Sequence, residues 1–181
     1  MPTTHSLTAR LLHWVTAFFI ITLITLGVWM TERAGANLWD ALTNTLYGWH
    51  KLIGFTVLLL TVFRLIVKLR STRPPYPHSL SPVTIKMAAI VHGILYLLLI
   101  VVPLLGWAGV TAYPALITLG GYNLPAMPGI PTDQALAKQL FEIHGNLALV
   151  LAGLALAHIA AALRHLLVKK DGVFQRMWFK S

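Results

Sequence analysis

The sequence predicts an all-α membrane protein, a bundle of four transmembrane helices. Of its 181 residues, 57% are hydrophobic and only 10% are charged, whereas soluble domains usually carry about 25% charged residues. Lipid therefore replaces water over much of the surface. Four long apolar runs, separated by polar or proline-rich stretches, predict one domain over residues 1–181 with helices at about 11–31, 47–69, 87–110 and 141–167.

The first predicted span contains no charged residue between Leu11 and Thr31. A run of about 20 apolar residues crosses the roughly 30 Å hydrocarbon core of a bilayer. Residues 34–36 (Ala-Gly-Ala) resemble a signal-peptidase site. The apolar run is too long for a signal peptide, however, and a charged pair precedes that site. We therefore predict a retained helix.

The second and third spans each carry one feature that a helix must accommodate. Arg64 interrupts the second span near its end, and Pro103 predicts a kink in the third. The connection at 70–86 is basic and rich in proline, which favours an extended strap. The connection at 111–139 is rich in glycine and proline and nearly uncharged, so we expect it to follow the membrane surface.

The distribution of lysine and arginine predicts the orientation. The net charge of +9 could indicate a nucleic-acid partner, but the basic residues flank apolar runs, as expected for the anionic cytoplasmic face of a membrane. Cytoplasmic segments carry the excess of Lys and Arg, so both termini are predicted to be cytoplasmic. That side has eleven of the 14 basic residues, and the outer side has Arg33, Lys51 and Lys138. The eleven are Arg10, Arg64, Lys68, Arg70, Arg73, Lys86, Arg164, Lys169, Lys170, Arg176 and Lys180.

The chain has no cysteine and eight histidines. This excludes covalent haem attachment through Cys-x-x-Cys-His, cysteine-ligated iron–sulfur clusters and thiolate zinc sites. Any haem must be held non-covalently, with histidine as the available ligand.

Four histidines form two pairs when each is set at its depth. His13 lies near the inner start of the first helix, and His50 near the outer start of the second. On the fourth helix, His144 lies near the outer end, and His158 follows after 14 residues. That spacing is about 40° short of whole turns and about 21 Å along the axis. One face therefore presents two histidines, which predicts the pairs His13 with His158 and His50 with His144.

These pairs suit two haems. An iron with two imidazole ligands has no open coordination position but can still exchange an electron, and two such haems stacked across the bilayer form an electron path. Gly27 and Gly54 are predicted to let a flat macrocycle approach the helices. Arg64 lies 14 residues after His50, at the depth of the inner pair. Haem propionates are a suitable partner for it, and so is the headgroup layer.

Other interpretations of the histidines stay open at this point. A single histidine in a membrane helix is more often a packing residue than a ligand. His5 and His78 are expected to be unrelated to a metal. His165 is an interfacial residue by this interpretation and the chief rival to His158, and His92 is either a helix contact or a partner for a propionate or quinone. A haem-free metal transporter is disfavoured because intramembrane carboxylates are nearly absent.

The motifs that carry these histidines resemble the bacterial cytochrome b561 family. They are Leu-Leu-His-Trp at 11–14, His-Lys-Leu-Ile-Gly-Phe at 50–55, Phe-Arg-Leu at 63–65, His-Gly at 144–145, Ala-His at 157–158 and Lys-Asp-Gly-Val-Phe-Gln-Arg-Met at 170–177. The resemblance covers nearly the whole chain. It implies a four-helix protein of the bacterial inner membrane with two b haems, and it assigns the haem ligands to His13, His50, His144 and His158.

The resemblance also implies electron exchange between the quinone pool, ubiquinone above all, and a donor or acceptor at the outer face. Some members are similar to superoxide-oxidising enzymes, and related subunits anchor a peripheral hydrogenase or dehydrogenase in the membrane. The residues do not decide between these functions. A superoxide site would need positive charge near the outer haem, for which Lys51, beside His50, is the best candidate.

Overall fold

The computed structural model describes residues 4–72, 74–77 and 80–179 and contains four long helices. They are α1 (Leu7–Gly35), α2 (Ala41–Arg70), α3 (Pro82–Ala112) and α4 (Gln134–Arg164). All four are long and apolar enough to cross a membrane, which confirms the predicted architecture. α1, α2 and α3 extend beyond both ends of their predicted spans, and α4 begins seven residues earlier than predicted, because an uncharged run marks only the part that lies in hydrocarbon. α4 ends at Arg164, three residues before the predicted end, where a π-helical turn replaces it.

Each long helix begins at a side chain that accepts a hydrogen bond from its first turn. Such caps satisfy backbone N–H groups that have no partner within the helix. The four capping residues are Ser6, Asp40, Ser81 and Asp133. At 81–82 the serine cap is followed by a proline in the first turn, where its missing N–H costs nothing.

The turn between α1 and α2 is held by Asp40. Its carboxylate accepts hydrogen bonds from the backbone N–H of Thr43 at 2.9 Å and from the Arg33 guanidinium at 2.5 Å. These two bonds, the backbone one first, lower the pKa of Asp40 to about 2. The carboxylate therefore stays ionised at any physiological pH, and the turn is insensitive to pH in that range.

The bundle buries few residues and exposes many apolar ones. One cluster joins α2, α3 and α4 near the middle of the bundle, and it consists of Val57, Leu98, Leu99, Val102 and Leu151. Phe19 and Leu23 of α1 pack against it. Large apolar side chains point outward on every helix; the Leu149 side chain, for example, is 70% exposed. This is the distribution expected of a surface solvated by lipid.

The long connection after α3 folds back onto the end of that helix that the charge distribution predicts to lie at the outer side, which we call the outer end of the bundle, the opposite end being the inner end. The Trp107 indole N–H donates to the Pro125 carbonyl at 2.7 Å, and the Met127 N–H donates to the Thr111 hydroxyl at 3.0 Å. Residues 119–121 form a short 3₁₀ turn. The connection therefore covers the outer end of the bundle.

At the inner end, α4 continues as a π-helical turn over His165–Lys169 and the chain then reverses. Lys170 adopts a left-handed conformation with φ 50°, and Gly172 has φ 81°, a value that favours glycine. A 3₁₀ turn follows over Phe174–Met177. His78 and Arg73 of the predicted strap, and Lys180, lie outside the described residues.

Candidate functional site

The structure brings His50 and His144 together near the outer end of the bundle. Their ring centroids are 6.1 Å apart, with the ring planes at 77°. Nδ1 of His144 lies 2.9 Å from the Val102 carbonyl oxygen. A carbonyl can only accept, so Nδ1 carries the proton and Nε2 keeps its lone pair free for a metal. Nδ1 of His50 is buried and has no hydrogen-bond partner of normal geometry among the described residues.

A glycine packs against each of these two rings, and the contact is tight at Gly106. A Cβ atom at Gly27 would lie 3.4 Å from Cε1 of His50, and one at Gly106 would lie 3.1 Å from Cε1 of His144. Gly54 differs, since a Cβ there would meet only Leu23, at 3.9 Å. The sequence predicted close approach of a macrocycle at Gly27 and Gly54 but not at Gly106, whose signal is a glycine inside an apolar span at the depth of His144.

The structure also brings His13 and His158 together, near the inner end. Their ring centroids are 6.3 Å apart, with the planes at 83°. Two imidazoles on opposite sides of one iron, each bonded at about 2 Å, have ring centroids about 6 Å apart. Both histidine pairs therefore have the spacing that a bis-histidine haem requires, and the residues fit that cofactor.

Arg64 of α2 turns into the bundle and contacts the inner pair. Its guanidinium lies 2.7 Å from Nδ1 of His13. Because a guanidinium can only donate, Nδ1 of His13 is the acceptor in this contact. The guanidinium also lies 5.3 Å from the ring centroid of Tyr96 on α3, and the Lys68 ammonium lies 4.1 Å from the same centroid. A cationic cluster thus borders the inner pair.

His92 joins the inner pair as a third ring. Its centroid is 5.2 Å from that of His158. Within the described parts of the chain, no three His, Asp or Glu side chains converge closely enough to hold a bare metal ion. His92, on α3, therefore lies beside the His13–His158 pair and does not complete a three-residue metal site among the described residues.

The remaining predicted histidines serve other contacts. Nδ1 of His165 lies 2.7 Å from a carboxylate oxygen of Asp171, and both side chains are largely buried. The backbone N–H of His5 donates to the Arg176 carbonyl at 3.1 Å. His165 therefore has a partner near the C-terminus, away from the pair that contains His158.

Lys51, the residue after His50, reaches the connection between α3 and α4. Its ammonium donates to the carbonyl oxygens of Ala115, at 2.9 Å, and Ile117. It also lines a cavity of about 420 Å³ between the outer turns of α2 and this connection. Both partners are neutral carbonyls, so neither of them offsets the charge of the ammonium, and the connection fixes its position.

The chain is similar to known proteins over nearly its whole length. Residues 4–180 match the family model described as prokaryotic cytochrome b561. Cytochrome b561 homolog 2 of Escherichia coli is 29% identical over 181 residues, which cover 99% of this chain and 94% of the relative. The probable superoxide oxidase CybB of Yersinia pestis is 29% identical over 138 residues, 74% of this chain and 77% of the relative. This chain belongs to the prokaryotic cytochrome b561 family, whose members are haem-binding proteins that cross the bacterial inner membrane several times.

Proposed function

We propose that this protein is a di-haem b-type cytochrome that carries electrons across the membrane, between ubiquinone and a donor or acceptor at the outer face. The observation that carries the proposal is the pair of matched histidine contacts, with centroid separations of 6.1 and 6.3 Å. They lie at two depths, about 21 Å apart along α4.

In this proposal, His50 and His144 would hold the outer haem, and His13 and His158 would hold the inner haem. Each haem held by two histidines would supply a reversible one-electron carrier with no open position for oxygen. The Val102 carbonyl holds His144 in the tautomer that can ligate through Nε2. Gly27 and Gly106 leave room for a macrocycle against the two outer rings.

Arg64 has a separate role at the inner site. Ligation of His13 through Nε2 requires the proton on Nδ1, and a protonated Nδ1 cannot accept from a guanidinium. Arg64 must then take another anionic or acceptor partner. A propionate carboxylate is a partner of opposite charge. A bidentate pair of a guanidinium and a carboxylate is among the strong hydrogen-bonded contacts of proteins.

The charge asymmetry supports an orientation with both termini in the cytoplasm. His13 and His158 then lie at the cytoplasmic side, and His50 and His144 lie beneath the outer surface. Electrons from outside therefore enter at the outer pair and leave at the inner pair or to quinone within the bilayer.

Superoxide is the outer donor that we favour, because one relative carries the name probable superoxide oxidase. Oxidation of superoxide to dioxygen releases one electron, so two superoxide ions and two protons would convert one quinone to quinol. The Lys51 charge, held beneath the outer loop, would attract the anion.

The proposal is tested by counting haems in purified protein with a pyridine haemochrome assay. We expect two b haems per chain in the parent and one each in His50→Ala and His144→Ala. His5→Ala, at a histidine outside both pairs, is the control and should keep two. Two haems in the His50 and His144 variants would refute the pairing.

Electron transfer is then tested in proteoliposomes that contain ubiquinone, with superoxide generated outside. Quinol formation that requires both pairs is expected. Full haem content without quinol formation, together with co-purification of a larger subunit, would instead support a haem-bearing anchor for a peripheral hydrogenase or dehydrogenase.

A further inference from the structure

The C-terminal segment, residues 170–179, folds back beneath the start of α1. The Trp14 indole N–H donates to the Met177 carbonyl at 2.8 Å, and the Arg10 guanidinium donates to the Trp178 carbonyl at 2.8 Å. The backbone N–H of His5 donates to the Arg176 carbonyl at 3.1 Å. Three successive carbonyls of the segment are thus bound by residues at the other end of the chain.

Trp14 connects this segment to the inner histidine pair. Its ring packs edge-on against Trp178, at a centroid distance of 5.3 Å, and against Phe174 at 6.2 Å. On its other side it contacts the ring of His13, also at 5.3 Å. One indole therefore lies between the C-terminal segment and a proposed haem ligand.

The same segment reaches the connection between α2 and α3. The Arg176 guanidinium donates to the Pro74 carbonyl at 2.6 Å and lies 5.3 Å from the ring centroid of Tyr76. The segment consequently links the first turn of α1 to this connection across the inner face of the bundle.

A contact between Asp171 and His165 holds the chain reversal that directs the segment toward α1. Asp171 binds His165 through one carboxylate oxygen at 2.7 Å and accepts from the Val173 N–H through the other at 3.3 Å. The His165 and Asp171 side chains are only 13% and 8% exposed. Side chains this buried hold one geometry, because breaking the hydrogen bond would leave a largely buried carboxylate without its side-chain partner.

His13 needs such support because it lies only six residues into α1, where helix ends fray. We propose that residues 170–179 form an inner cap, which fixes the first turns of α1 and shields the His13–His158 site from the cytoplasmic solution, with Trp14 as the positioning residue. This inference rests on the proposed function, since it treats His13 as a haem ligand.

The test uses the full-length protein in lipid nanodiscs and two variants. Trp14→Phe keeps an aromatic ring but loses the indole donor, and deletion of residues 172–181 removes most of the cap. Trp39→Phe is the matched control, since Trp39 stacks on Tyr47 at the outer end of the bundle, 60% exposed. The readouts are hydrogen exchange of residues 7–16 and a redox titration that resolves the two haems.

We expect both variants to exchange residues 7–16 at least tenfold faster than the parent and the control. At a fixed potential, the reduced-to-oxidised ratio of the inner haem should fall at least threefold, because water favours the more charged ferric form, while the outer haem stays unchanged. Unchanged exchange in Trp14→Phe and in the deletion would overturn the inference. An equal shift of both haems would also overturn it, by assigning the segment to general folding.

The exchange readout separates this inference from the proposed function. If the parent held no bis-histidine inner haem, the proposed function would fail, while faster exchange in the variants would still establish the cap. If both haems were present and exchange did not change, only the inference would fail. Should the deletion prevent accumulation of the protein, Trp14→Phe alone decides the outcome.

Discussion

Arg64 on α2 donates a hydrogen bond over 2.7 Å to Nδ1 of His13 on α1, so one cation of a membrane helix lies directly against a proposed haem ligand. A fixed positive charge next to a haem favours the reduced form, which carries one positive charge fewer than the oxidised form. When His13 binds haem through Nε2, Arg64 must turn to another acceptor, but its charge stays beside the inner pair and makes Arg64 a determinant of the inner potential.

Replacement of Arg64 by Met should therefore lower the midpoint potential of the inner haem. At an effective dielectric constant of about 20 and a separation of about 8–10 Å, the lost interaction is about 2 kcal/mol. This corresponds to roughly 80 mV for one electron. A potentiometric titration measures it, with Arg70→Met, at an exposed position on the same helix, as the control. Equal shifts in both variants would assign the effect to surface charge.

Gly106 should not tolerate a larger side chain, because even an added Cβ atom would lie 3.1 Å from the His144 ring. We expect Gly106→Val to lose the outer haem and keep the inner one, as measured by haem content and low-spin spectra. Gly93→Val on the same helix is the control, since a Cβ at Gly93 meets nothing within 4 Å. Loss of haem in both variants would mean that the helix, and not the ring, is disturbed.

Lys51 should determine how firmly the outer connection is held, through its bonds to Ala115 and Ile117. Lys51→Met is expected to speed hydrogen exchange over residues 115–120 several-fold and to slow reaction with an anionic oxidant or reductant. Lys51→Arg keeps the charge and should restore the reaction rate in part. Lys138→Met, at an exposed outer-side position, is the control. A slower reaction without faster exchange would show that the charge acts without the loop.

Acid should release the inner cap through Asp171. Burial of this carboxyl acts to raise its pKa, but the hydrogen bonds from His165 and the Val173 N–H outweigh burial, so the pKa is lowered. A lowered pKa contributes stability above the ordinary carboxyl value of about 4, which is lost as pH falls through the folded value. Exchange of residues 7–16 should therefore accelerate in that acidic range. Asp171→Asn should show faster exchange of residues 7–16 already at neutral pH. If exchange in this variant depended on pH as it does in the parent, Asp171 would not be the group that holds the inner cap.

The sequence was sufficient for the features that follow from depth along a helix. The four spans follow from the length of the apolar runs. The rise per residue along a helix predicts that His13 contacts His158 and that His50 contacts His144. The contact of His92 with His158 did not follow, because it depends on which helices are lateral neighbours. The glycine at 106 was missed for the same reason.

Contacts between distant segments were equally inaccessible from the pattern. The inner cap depends on a left-handed Lys170 and on a reversal at Gly172, which bring residues 170–179 beneath residues 5–14. The bonds from Lys51 depend on the path of a 21-residue connection between Ala112 and Gln134. Neither is encoded in a local spacing.

The order of the ligands along the chain has a consequence for biogenesis. In the proposed ligand set, α1 and α2 each supply one histidine, to different sites, and α4 supplies the second histidine of both. Neither haem can gain its second ligand until the last span has been inserted. A chain that stalls or inserts incompletely would hold haem by one ligand at most, with a coordination position open to oxygen. In this ligand set, insertion of α4 would complete the bundle and, in the same step, close the coordination position at which oxygen could react.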